Sequence, residues 1–231
     1  MKKVLASLGI HKSWWDLMLP LFKDERMSKI LSVLDHCEYY PKKSNVFKVF
    51  EMPVGEIRVV ILGQSPYPKD ISTGLAFAST QSTYSLNVIF NEIERSFYYN
   101  DFDTSRIETD QKDLLHWHKQ GVFLLNTALT TTVDKSHYQY WKWFTTSIIE
   151  FISNHHLGII WMQWGKQAQE FDISSKDHYV LKAPLPSKGL FATDNEFIGC
   201  NHFSICNKIL GENNGEIIYW NKFEFSKLFK Y

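Results

Sequence analysis

Residues 57–68 read IRVVILGQSPYP, and this stretch decides the fold. The apolar run of residues 57–62 predicts a buried strand, because β-branched residues suit a pleated sheet. Gly63 and the prolines Pro66 and Pro68 predict a turn directly after it. A strand that feeds a glycine-led turn is typical of an active-site loop in an α/β protein.

Strands and helices alternate along the rest of the chain. Apolar runs predict strands at 57–63, 121–126, 158–164 and 178–182. Helical spacing predicts helices at 85–98, 111–120, 138–154 and 202–210 and a short helix at 166–171, after fifty residues that look helical and then irregular. This pattern indicates a three-layer α/β/α fold with a central, mostly parallel four-stranded sheet. Loops leaving the strand ends would then meet at one site.

Composition bounds the class of protein. The 231 residues are 44% hydrophobic, which suits a single domain spanning residues 1–231. The formal net charge is +0, so no global positive field holds nucleic acid at long range, although a local basic rim stays open. Aromatic residues make up 16%, which suits a packed interior, base-stacking surfaces or both.

The cysteines and the N-terminus bear on location. Cys37, Cys200 and Cys206 form no CxxC pair and no zinc-site spacing, so we expect no metal and no other cofactor. An odd cysteine count fits a reducing interior. We find neither a signal peptide nor a membrane span. These features favour a soluble, cytoplasmic protein without a membrane partner.

Five further motifs follow the 63–68 turn in order: GLAF at 74–77, GVFLLNTALT at 121–130, WGKQAQ at 164–169, VLKAP at 180–184 and GCNHF at 199–203. From about residue 40 to residue 210, this order closely resembles family 1 uracil-DNA glycosylases. The family's water-activating loop reads Gly-Gln-Asp-Pro-Tyr-His, and the 63–68 turn matches it except at Ser65 and Pro68. The resemblance implies the family fold and an enzyme that flips a base out of DNA for excision repair.

The family's recognition residues have counterparts here. The resemblance makes Phe77 the ring that stacks on uracil and Asn126 the amide that reads its pairing edge. Tyr67 matches the tyrosine whose bulk rejects the 5-methyl group of thymine, and the backbone of Gln64 matches a base contact. Taken alone, Phe77 would more often be a core residue and Asn126 a turn or cap residue; the matching motifs favour the pocket.

The family's two chemical groups are replaced. Its aspartate, which supplies negative charge and orients water, is Ser65, and its histidine, which donates to the uracil oxygen, is Leu185 in APLPS at 183–187. Asp70 is a weak substitute, five positions beyond Ser65. We therefore expect an inactive or severely impaired homologue that acts by binding. The alternative is an active but slow or re-specialised glycosylase.

The loops that handle DNA in the family also differ. The proline-rich clamp appears as TYSL at 83–86, without prolines. The resemblance makes His137, Ser187, Lys188 and Leu190 DNA contacts. His137 has a solvated loop residue as its alternative. Leu190, or its neighbour at position 191, is either a wedge or buried under a longer loop.

Partners follow from the same resemblance. DNA that contains uracil, is abasic or is single-stranded is one class. A replication or repair factor is another, because Pro68 resembles a poxvirus branch of the family that implies a polymerase accessory role. A DNA-mimicking glycosylase inhibitor is the third.

Overall fold

A computed structural model describes residues 1–98, 112–174, 176–187, 196–213 and 215–221. Within them a four-stranded sheet has the order β2-β1-β3-β4 and every neighbouring pair is parallel. The strands are β1 (Val59–Gly63), β2 (Val122–Asn126), β3 (Ile160–Trp164) and β4 (Tyr179–Ala183). The predicted parallel sheet is confirmed.

Helices flank this sheet. They are α1 (Lys2–Ser7), α2 (Trp15–Lys23), α3 (Glu25–Asp35), α4 (Tyr84–Tyr98), α5 (Leu115–His118), α6 (Tyr138–His155) and α7 (His202–Glu212). The predictions at 85–98, 138–154 and 202–210 are confirmed to within two residues at each end. No helix in the described ranges is long and apolar enough to cross a membrane.

Two predicted helices are wrong in extent. The prediction at 111–120 yields only the single turn of α5, and residue 111 lies outside the described residues. Leu114 has a left-handed φ of 50°, which a right-handed helix does not accept, so the helix begins after it. The prediction at 166–171 yields a 3₁₀ turn over Ala168–Glu170.

The strands explain where the site lies. Every residue of β1, β2 and β3 is buried, as expected for strands covered on both faces. In the register, Gly63 pairs with Asn126 and Trp164 pairs with Ala183. All four strands therefore end at one edge, and the loops that follow them leave the sheet together.

Candidate functional site

Three residues converge where β1 and β2 end. A methyl group built on Gly63 would stand 2.7 Å from Oδ1 of Asn126 and 3.2 Å from the Phe77 ring. Glycine is therefore strongly favoured, because any side chain would collide with Asn126 Oδ1 and press on the Phe77 ring. Asn126 is 3% exposed, and within the described part of the chain no hydrogen-bond donor reaches its buried Oδ1. An unsatisfied buried carbonyl is costly, and a ligand with an N–H group would satisfy it.

The Phe77 ring is held by its own backbone and by Trp164. Its neighbour Ala76 donates its N–H to Leu124 O at 3.0 Å, which ties this segment to β2. The φ of Phe77 is 63°, a left-handed value that is uncommon outside glycine. The half-buried ring lies 5.0 Å from the Trp164 ring between centroids, so one side is supported. Trp164 in turn donates to Nδ1 of His202 at 3.0 Å.

The carbonyl of Gln64 is fixed by the two residues that follow β2. It accepts hydrogen bonds from Thr127 Oγ1 at 2.9 Å and from Ala128 N at 3.0 Å. The Gln167 side chain closes this network, accepting from Gln64 Nε2 at 3.1 Å and donating to Thr127 Oγ1 at 2.6 Å. The peptide after Gln64 is therefore positioned before any ligand arrives.

Ser65 occupies the position of the family's carboxylate and is half-buried. Its Oγ lies 2.6 Å from Oγ of Ser136, and either hydroxyl can be the donor. Ser136 also accepts the N–H of Tyr138 at 3.2 Å, at the start of α6. Two neutral hydroxyls thus stand where the resemblance predicts a negative charge.

Tyr67 is tied to the residue that precedes α4. Its phenol oxygen lies 2.9 Å from Thr83 Oγ1. Burial raises the pKa of Tyr67, an effect that the Thr83 and Ser85 side chains partly oppose. The phenol is therefore protonated at neutral pH and available as a donor.

Leu185 occupies the position of the family's histidine, in the loop after β4. Its Cβ and Cδ1 lie 3.1 and 3.3 Å from where a methyl group on Gly165 would stand. The φ of Gly165 is 91°, so this residue also needs the conformational freedom of glycine. Ser187 is half-buried in the same loop, and its N–H donates to Leu185 O at 2.8 Å. An apolar side chain thus covers Gly165 and brings no hydrogen-bond donor.

His137 is buried rather than solvated, so the solvated-loop alternative is wrong. It is 5% exposed at the N-terminus of α6, and its Nδ1 lies 2.9 Å from Oγ1 of Thr130. Trp141 Nε1 donates to the same hydroxyl at 2.7 Å. Burial and the nearby Lys135 charge lower the pKa of His137. Its predicted DNA contact stays a prediction, and Lys188 and Leu190 lie outside the described residues.

Asp70 points to a different surface. Its carboxylate is 75% exposed and lies 3.7 Å from Nζ of Lys42. Both residues line a cavity of about 210 Å³ whose lining contains none of Ser65, Phe77 and Asn126. Asp70 therefore does not stand in for the missing carboxylate in this conformation.

A buried acid fixes the far end of the loop that carries Leu185. Glu92 in α4 is fully buried and accepts backbone N–H groups from Gly199 at 2.7 Å and Asn201 at 2.8 Å. Arg95 pairs with it at 2.8 Å. Burial raises the pKa of Glu92, but Arg95 and the two N–H groups outweigh burial and lower it overall. The carboxylate thus stays charged and joins α4 to the segment before α7.

The remaining candidate metal ligands and thiols in the described ranges form no reactive site. No cluster of three or more histidine, cysteine or acidic side chains there could hold a metal ion. The three cysteines are free, and burial raises the pKa of Cys200 and of Cys206 to about 12. Neither of these two thiols is a nucleophile at neutral pH.

Sequence reasoning missed three positioning residues. Gln167 lay within a quoted motif and Thr83 within the altered clamp, so each could have been singled out. Ser136 gave no signal, because its partner Ser65 lies 71 residues away in the chain.

Comparison with known proteins bears on the family and the fold of this chain. The family model "Uracil DNA glycosylase superfamily" matches residues 50–211. A uracil-DNA glycosylase of Mycoplasmopsis pulmonis is 33% identical over 91% of this chain and 92% of its own. One of Buchnera aphidicola subsp. Cinara cedri is 35% identical over 92% of this chain and 96% of its own.

Solved structures show the same fold. The crystal structure of mimivirus uracil-DNA glycosylase matches with a TM-score of 0.79 and 25% identity, covering 92% of this chain and 88% of that one. A variant of that protein in complex with UGI matches with a TM-score of 0.78, 25% identity and coverage of 92% and 89%. On sequence and on fold, the chain belongs to the uracil DNA glycosylase superfamily.

Proposed function

We propose that this protein binds uracil in DNA through an intact base pocket and cleaves the glycosidic bond very slowly or not at all. One observation carries the proposal. The buried, unpartnered Oδ1 of Asn126 stands beside Phe77 and Gly63, while the two chemical positions hold the neutral side chains Ser65 and Leu185.

The recognition half rests on complementary hydrogen bonding. A side-chain amide offers one acceptor and two donors, which match the N–H and the neighbouring carbonyl of uracil. The Oδ1 of Asn126 has no partner in the described part of the chain, so pairing with a base would replace a desolvation cost with a hydrogen bond. Phe77 supplies a supported ring for stacking.

The chemical half lacks both groups that the family uses, the negative charge and the hydrogen-bond donor. Cleavage develops positive charge on the sugar and negative charge on the departing base. Ser65 carries no charge to stabilise the sugar, and Leu185 has no donor for the base. Loss of an electrostatic stabiliser costs about 10²–10³ in rate and loss of a general base about 10²–10⁴. These two losses need not multiply, because residues that act together are non-additive.

Several finer assignments belong to the same proposal. We assign the DNA face to His137, Ser187, Lys188 and Leu190, and one domain to residues 1–231. The free thiols favour a reducing compartment such as the cytoplasm. Partners are uracil-containing, abasic or single-stranded DNA, a replication or repair factor, or a DNA-mimicking inhibitor. The neighbour solved with UGI and the net charge of +0 support the protein partners.

A slow glycosylase is the second candidate. Relatives named uracil-DNA glycosylase share 33% and 35% identity over more than nine-tenths of this chain, which favours retained chemistry. In this second candidate, the hydroxyls of Ser65 and Ser136 orient the attacking water but do not remove a proton from it.

Two measurements on the wild-type protein test these candidates. The first follows uracil release from a single-stranded oligonucleotide with one uracil, at enzyme excess over hours; we expect none above the protein-free background. Clear release would contradict the binding proposal and support the slow enzyme. The second compares affinity for this oligonucleotide with its thymine counterpart at one fixed salt concentration. We expect a preference for uracil that Asn126→Asp, which keeps the volume but loses the amide donors, abolishes.

A further inference from the structure

One hydroxyl connects two structures at the edge of the pocket. Thr83 Oγ1 lies 2.9 Å from the Tyr67 phenol oxygen and accepts the N–H of Leu86 at 3.2 Å. The second bond caps the first turn of α4, which begins at the next residue. The same atom therefore fixes the start of α4 and the tip of Tyr67.

The Tyr67 hydroxyl is positioned mainly by the segment before and at the start of α4. Pro66 is buried and Pro68 exposed on either side of Tyr67, so the backbone is restrained while the ring depends on its own contacts. Its hydroxyl oxygen lies 2.9 Å from Thr83 Oγ1, and Ser85, two residues further on, also acts to lower its pKa. A proline, as in the family's clamp, has no side-chain hydroxyl and could not make the Thr83 bond.

We propose that Thr83 is a specificity-positioning residue, whose hydroxyl holds the Tyr67 ring where it admits uracil and excludes a 5-methyl base. The inference rests on the proposed function and extends it to a residue outside the base pocket. The reason is geometric. A pocket can distinguish uracil from a base with one more methyl group by roughly 10–200-fold in affinity. That preference is lost if the Tyr67 ring can move aside by a fraction of an ångström. A tethered ring keeps its place.

The experiment is a double-mutant cycle read as a specificity ratio. Thr83→Val removes the hydroxyl and keeps the shape, Tyr67→Phe removes the opposite hydroxyl, and Thr83→Ser restores the hydroxyl without the methyl group. Thr146→Val is the matched control, because it deletes a threonine hydroxyl bonded to Lys142 O in α6. Fluorescence anisotropy then gives affinities for uracil and thymine oligonucleotides at one salt concentration, and thermal unfolding is recorded for each variant.

We expect Thr83→Val to lower the preference for uracil over thymine by roughly three- to tenfold, about the effect of one hydrogen bond. Thr83→Ser and Thr146→Val keep the wild-type ratio, and Thr83→Val has no further effect once Tyr67→Phe is present. A uracil-to-thymine ratio that Thr83→Val leaves unchanged overturns the inference. So does a ratio that Thr83→Val lowers equally in the wild type and in Tyr67→Phe, because Thr83 would then act only by capping α4 and not through the Tyr67 hydroxyl. Equal wild-type affinity for the two oligonucleotides overturns the proposed function and this inference together.

Discussion

The hydroxyl oxygens of Ser65 and Ser136 lie 2.6 Å apart, so the position that carries the family's acid is bonded to the start of α6. Each oxygen is neutral, and the pair satisfies itself. Ser136 is also a ready donor for a larger, charged group at position 65. A carboxylate introduced at position 65 could accept that proton in a side-chain rotamer that clears the 2.6 Å contact.

Ser65→Asp combined with Leu185→His should therefore restore uracil release. The new carboxylate can accept from Ser136 Oγ, and the histidine returns a donor for the departing base. We expect a gain of about 10² or more over wild type in single-turnover release from a uracil oligonucleotide.

The matched control for that restoration is Ser65→Asn with Leu185→His, which has the same shape without the charge and should stay at background. If the charged double variant also stayed at background, the defect would extend to the pocket or to the loops that handle DNA.

Asn126→Leu should separate stability from binding. The substitution removes a buried oxygen that has no donor in the described part of the chain and keeps the number of side-chain heavy atoms, although the leucine methyl groups are bulkier. We expect the free energy of unfolding to rise by roughly 1 kcal/mol, because a buried unsatisfied polar group costs about 1–3 kcal/mol. Urea denaturation followed by tryptophan fluorescence measures this change. The preference for uracil should vanish in the same protein, and a loss of stability would show that Asn126 has an internal partner.

Gly63→Ala should damage both properties. The added methyl group would lie 2.7 Å from Asn126 Oδ1 and 2.9 Å from Ala76 Cβ, so the end of β1 must shift. We expect a loss of roughly 1–3 kcal/mol in unfolding free energy, as for overpacking in a core, and loss of uracil binding. Gly55→Ala is the matched control, because a methyl group there meets nothing within 4 Å. Equal melting temperatures for the two variants would contradict the close approach at Gly63.

Acid should destabilise the fold through two buried histidines. Burial lowers the pKa of His118 and of His202 from 6.5 to about 4 in the folded state. The unfolded chain therefore takes up protons first as the pH falls. The stability that these residues contribute is complete above about pH 6.5 and is lost towards about pH 4, at roughly 1.4 kcal/mol per pH unit for each histidine.

Urea denaturation at pH values across that window measures the slope. His202→Asn offers a carbonyl to the Trp164 N–H in place of Nδ1. It should reduce the slope by roughly 1.4 kcal/mol per pH unit, because His202 no longer titrates, while His118 and the other buried histidines still do. A wild-type slope unchanged by this substitution would exclude His202 as a source of the pH dependence.

The sequence was sufficient for the sheet, and its motifs singled out Phe77 and Asn126, which the fold brings together beside Gly63. Runs such as 57–63 are short, rich in β-branched residues and end in glycine, and these features together separate them from buried helices. Phe77 and Asn126 lay in motifs whose order matched a family, and the register then brings Asn126 beside Gly63. Local sequence carried these predictions because the strands are short, continuous and apolar.

The hydrogen-bond partners could not be predicted in the same way. Ser65 and Ser136 are 71 residues apart, and Gln64 and Gln167 are 103 apart. Such pairs depend on how loops pack, and a serine in a loop has many equivalent partners. The helix predicted at 111–120 failed for a related reason: the left-handed backbone of Leu114 has no marker in its side chain.

The backbone of Phe77 has a φ of 63°, a left-handed conformation that costs a residue other than glycine roughly 1–2 kcal/mol. Glycine would adopt this conformation freely, and the surrounding bond from Ala76 to β2 enforces it. The fold thus keeps a strained residue for the sake of an aromatic surface. Under the proposed function, this backbone strain is the stability that the fold gives up to present an aromatic ring for base stacking.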